Sequence, residues 1–318
     1  MSFFYLRFFG WSILSFICAF IFDNFLIVNF NFPGAFNLFH QYSHLSLIEV
    51  FLYLLFILFG FLFLKLNSNN SLRDDANLLH NINLYLIRSS FWIVLLIGIS
   101  DFTISFLRVE SFFVNFFDKD VANNFTRPIY VGNFVHFPLM IVGFILGLFT
   151  KTLGFHWLSL LIVISELIIV VARFIFSYEQ TFMGDLVRYW YAALFLFASA
   201  YTLYDDTHVR VDILYANMLN KTKGIINSIG SIVLGVSTAL VIIFVGLNGK
   251  SAIINSPVLI FEVTQQGSVG MFVKYQLAIF LGVFAVTMLI QFISLFFDSL
   301  ADIDNLPGKR EIKSQIGN

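Results

Sequence analysis

Long apolar runs separated by short polar ones extend along the whole chain. Eight can be marked off: Phe8–Phe22, running on past Asp23 toward Val28; Ser46–Leu64; Leu84–Leu107; Phe134–Phe149; His156–Phe176; Leu186–Leu203; Gly224–Gly246; and Met271–Phe297. Most come close to the roughly 20 residues needed to cross about 30 Å of hydrocarbon, and Phe134–Phe149 is the short one. Lipid offers the backbone no hydrogen-bond partners, so such runs are predicted to be helices. The pattern predicts an all-α polytopic transmembrane bundle of about eight helices. Polar connections are expected at Asn67–Asn83 and Glu110–Asn133, and a polar tail after Asp304.

Composition strengthens this picture. Hydrophobic residues make up 59% of the 318 and charged residues only 12%, where a soluble domain carries about a quarter charged. The mean hydropathy is +0.87. A net charge of −1 gives no argument for nucleic acid. The single cysteine, Cys18, excludes an internal disulfide and a cysteine-built metal site. The first run lacks a small-x-small cleavage site and is expected to be retained as a span. With the amino terminus placed inside, eleven of the 18 Lys and Arg residues fall on the cytoplasmic side, so both termini are expected there.

Ionisable residues within apolar runs call for an explanation, because charge in hydrocarbon is expensive. Glu49, Asp101 and Glu166 are of this kind, and Arg173 shares a helical face with Glu166. A proton or ion relay is one reading; a buried pair or a neutral acid against a neighbouring helix is the other. His40 and His44, with Glu49 beyond them, have a spacing that suggests a metal. No third strong ligand accompanies them, so no metal and no cofactor is expected. Gly224, Ser228, Ser231 and Gly235 share one face of their helix, a stripe that lets helices approach closely. Nucleotide loops, HExxH and Gly-x-Ser-x-Gly motifs are missing, so the chain is not expected to be an enzyme.

The second half carries a more specific pattern. An apolar helix closing in Ala200-Tyr-Thr-Leu203 is followed by Asp205-Asp206 and then His208-Val-Arg210-Val-Asp212. Before it stand a helix ending in Arg173-Phe174 and the segment Gly184-Asp185-Leu-Val-Arg188-Tyr189. After it come the run Gly224–Gly246, a loop with Glu262, Gly267 and Gly270, then Lys274 and a last helix with Gln291. In order, spacing and four-helix count this resembles the small membrane subunit of tripartite ATP-independent periplasmic (TRAP) transporters.

The resemblance implies a four-helix core over residues 151–304, an extension of about four helices over 1–150, and a polar tail over 305–318. It implies a multi-pass protein of a bacterial inner membrane that performs no chemistry and braces a large transport subunit. That large subunit carries a solute, often an organic anion, with sodium, and a periplasmic substrate-binding protein delivers it. Arg173, Asp185, Arg188, His208, Arg210, Asp212, Glu262 and Lys274 are the candidate contacts to the large subunit. The rival reading is a self-contained transporter or channel using Asp101, Glu166 and Arg173.

Overall fold

The computed structural model describes residues 3–39, 43–178, 180–205, 215, 217–264 and 269–308. Eight long helices form: α1 (Phe3–Phe30), α2 (His44–Leu66), α3 (Leu72–Val109), α4 (Pro128–Phe149), α5 (Phe155–Ile175), α6 (Thr181–Asp205), α7 (Asn220–Gly246) and α8 (Lys274–Ile303). Among the described residues there is no strand. All but α6 are long and apolar enough to cross a membrane. At 25 residues α6 has the length, but Tyr189, Trp190, Tyr191, Tyr201 and Tyr204 make it less apolar.

Seven of the eight helices begin earlier than the hydropathy indicates, α3 and α4 by the most. The expected connection Asn67–Asn83 is helical from Leu72, because Ser71 and Asp74 cap one another: Ser71 N donates to Asp74 Oδ2 at 2.8 Å and Asp74 N to Ser71 Oγ at 3.2 Å. Helix α4 starts at Pro128, whose missing N–H costs nothing in a first turn, and widens into a π turn at Gly132–His136.

The chain divides into two compact units. One contains Met1–Asn83, Thr202–Asn255 and Met288–Asn318. Here α1 and α2 form an antiparallel hairpin, clasped at one end by Arg7. Its Nε lies 2.7 Å from Asp75 Oδ2 and its Nη2 lies 3.1 Å from Oδ1, while Trp11 Nε1 donates to the same carboxylate at 3.1 Å. Arg73 bridges Asp298 at 3.2 Å and Asp302 at 2.7 Å. The small-residue face of α7 meets the end of α8: a Cβ on Gly224 would come 2.8 Å from Ser299 O, and one on Gly235 2.4 Å from the Phe292 ring. Ser228 and Ser231 are buried on the same face.

The other unit contains Leu84–Tyr201 and Ser256–Thr287. Its core joins Phe91, Val94 and Ile97 of α3 to Phe182, Leu186, Tyr189 and Phe197 of α6 and to Phe280 of α8. Helix α4 lies close against α3, because a Cβ on Gly143 would stand 2.8 Å from Ile93 N and one on Gly147 3.0 Å from Ser89 N. Gly143 and Gly147 form a Gly-x-x-x-Gly pair, a spacing that is the usual sign of close helix approach in lipid and that hydropathy alone does not single out.

Candidate functional site

Within the second unit, four successive residues ahead of α8 are each held by a different side chain. Val269 O accepts from Thr181 Oγ1 at 3.1 Å, and Gly270 O accepts from Arg108 Nη2. Met271 N donates to Asp185 Oδ2 at 3.1 Å, and Phe272 N donates to Asp101 Oδ2 at 2.7 Å. Two of the holding residues lie on α3 and two on α6. Arg108 also lies over the Phe272 ring, 4.0 Å from its centre. A loop tied at four consecutive positions has little freedom, and amide-to-carboxylate bonds are the stronger kind.

Behind the loop, a fully buried polar chain links α3, α4, α6 and α8. His136 Nε2 lies 3.3 Å from Asp101 Oδ1, close enough for an ion pair but poorly aligned for a hydrogen bond. His136 Nδ1 faces the Tyr275 hydroxyl at 2.9 Å and Gln276 Nε2 at 3.1 Å, while Gln276 Oε1 accepts from Tyr189. An amide N–H can only donate, so Nδ1 is the acceptor and a neutral His136 carries its proton on Nε2, toward Asp101. The π turn of α4 includes His136. No sequence signal marked His136, apart from its place beside Pro138 in an apolar run.

This arrangement places several of the expected site residues. Asp101 is spent on Phe272 N and His136 and does not join Glu166 or Arg173 in any described contact. Asp185 is turned inward on Met271 N, with Arg188 3.6 Å from its other oxygen. Lys274 Nζ pairs with Glu262 Oε1 at 2.6 Å. Beside them opens a cleft of about 640 Å³, lined in part by Gln180, Arg188, Thr264 and Lys274 over an apolar floor of Ile169 and Leu277. The Arg188 side chain is 57% exposed and offers positive charge outward, whereas the charge of Lys274 is met by Glu262. His208, Arg210 and Asp212 lie outside the described residues, as does His40. Among the described residues no group of His, Cys, Asp or Glu is arranged to hold a metal.

Helix α5 differs from the rest. Only Leu158 and Ser165 are buried along its 21 residues. Glu166, at its midpoint, is exposed, and so are Val163, Leu167, Val170, Arg173 and Phe174. Beyond α5, the exposed Tyr178 hydroxyl donates to Glu110, which raises its pKa above that of an ordinary tyrosine.

Residues 162–301 match the family model described as Tripartite ATP-independent periplasmic transporters, DctQ component. The match falls within the 151–304 stretch and bears out the resemblance to the TRAP small membrane subunit. No curated protein and no solved structure matches the chain. Two of the four groups that hold the loop, Asp101 and Arg108, lie outside the matched segment.

Proposed function

We propose that this chain, whose residues 162–301 form the DctQ-component segment of a TRAP small permease subunit, is the non-moving, non-catalytic brace of a sodium-coupled solute transporter. The large membrane subunit binds and carries the solute, an organic anion delivered by a periplasmic substrate-binding protein. The chain lies in a bacterial inner membrane with both termini cytoplasmic, in keeping with its Lys and Arg distribution.

One observation carries this reading: the uncovered carboxylate of Glu166 halfway along apolar α5. A charged side chain at that depth costs about 2.5–3.5 kcal/mol against lipid. A second membrane protein that donates to it removes the cost. Arg173, two turns along the same face, extends the matching surface, and the cleft with Arg188 and Lys274 offers a further contact for the large subunit. His208, Arg210 and Asp212 remain candidate contacts on the resemblance alone. The tethered loop suits a brace, since a part that resists movement needs its connections fixed. Residues 1–150 are an extension whose α3 takes part in that tethering.

The test is site-directed photocrosslinking from α5 in membranes containing the whole transporter. Crosslinkers at Val163 and Val170 are expected to capture the large subunit, and one at Leu158 is not. Capture from Leu158 alone would refute the placement. In proteoliposomes, this chain by itself is expected to give no sodium-driven solute uptake. Uptake without the large subunit would favour the self-contained transporter.

A further inference from the structure

The α1–α2 hairpin of the first unit holds a pair of acids that its role in bracing does not explain. Asp23 of α1 is 3% exposed and Glu49 of α2 not at all. Each has one oxygen satisfied: Tyr53 Oη donates to Asp23 Oδ2 at 3.1 Å, and Gly34 N donates to Glu49 Oε1 at 3.0 Å. The other two oxygens, Asp23 Oδ1 and Glu49 Oε2, are buried with no hydrogen-bond partner. Tyr53, which holds Asp23, lies one turn along α2 from Glu49 and is buried on the same face, so the two carboxyls are neighbours across the hairpin and feel each other's charge. Among the described residues neither forms an ion pair with a basic side chain.

Two buried carboxylates side by side, each with an oxygen that can only accept and has no donor, repel one another, and in a buried place neighbouring like charges do not both ionise. A single hydrogen turns the contact into one donor and one acceptor and satisfies both. We propose that Asp23 and Glu49 form a proton-binding site that holds one proton between Asp23 Oδ1 and Glu49 Oε2, and so latches α1 to α2. Other groups at this end are Tyr53 and His44 on α2, and Lys250, whose Nζ donates to Asn31. The turn Ala35–Phe39 carries no titratable side chain, and the nearby Asn24 and Asn255 amides pair with each other. The latch closes while the proton is held. It loosens when both acids ionise and repel.

The test is infrared spectroscopy of the full chain in nanodiscs near neutral pH. Wild type is expected to show the carbonyl stretch of a protonated carboxylic acid, shifted in D2O. That component should vanish in D23N and in E49Q, because either amide can donate to the remaining carboxylate without an added proton. Both substitutions keep the shape of the side chain. A titration of the wild type gives an independent reading, in which the band disappears at high pH while amide exchange in the first turns of α2 speeds up. A wild-type spectrum without the band, or a band that neither variant diminishes, would overturn the proposal. So would loss of the band on adding sodium at constant pH, which would assign the site to a metal cation.

Discussion

The tether at Phe272 N makes a local prediction that can be measured residue by residue. Replacing Asp101 by Ala removes the acceptor 2.7 Å from that amide and the carboxylate beside His136. Both partners are fully buried, so neither can turn to water instead. A hydrogen bond to a charged group contributes about 1.5–3 kcal/mol, which corresponds to roughly a 10- to 150-fold rise in the rate at which the loop opens. D101N keeps an oxygen that can accept from Phe272 N, while it loses the charge and turns an amide donor toward His136 Nε2. At the loop its effect is expected at about 1 kcal/mol, near fivefold, below that of D101A. The assay is amide hydrogen exchange in nanodiscs, comparing a peptide over residues 269–275 with one from the middle of α8. Faster exchange is expected in the first peptide, in the order D101A, D101N, wild type, with the second unchanged. If D101A exchanges no faster than wild type over 269–275, the loop is held by something other than these side chains and the reasoning fails. Uniform acceleration in both peptides would also refute it, because the effect would then be global loss of stability.

Other expectations follow from the same geometry. R7A strands the buried Asp75 carboxylate and is expected to cost about 3–5 kcal/mol of stability, read as a lower unfolding midpoint in detergent. The double variant R7M/D75L should recover most of that loss; no recovery would count against the buried pair as the cause. G147L drives a side chain into Ser89 of α3 and should destabilise by about 1–3 kcal/mol, whereas the same change at Gly184, which has open space around it, should not by this mechanism. S71A removes one half of the cap on α3 and should cost about 0.5–2 kcal/mol, with exchange rising first in the amides of Leu72–Asp75.

Helix number and type were legible in the sequence because a hydrocarbon solvent leaves few options. A run of about 20 apolar residues must satisfy its own backbone, and all eight runs became helices. The small-subunit segment was legible too, through the order of Arg173, Asp185, the acidic helix end and the last helix with Gln291. Helix ends were harder to read. Hydropathy stops at Leu84, but the Ser71–Asp74 cap carries α3 back to Leu72, and a cap is two side chains against four backbone groups, invisible to an average over a window.

Which buried charges serve which purpose belonged to the tertiary structure alone. The sequence marked Glu49, Asp101 and Glu166 as alike, each an acid in an apolar run. In the fold they part company: Asp101 ties down a loop 171 residues away in sequence, Glu49 faces Asp23 across a hairpin, and Glu166 points outward. The physical reason is that an ionisable group is costly in lipid wherever it sits. Composition therefore reveals that a partner is needed, and only the folded chain reveals which group, if any, its own atoms supply.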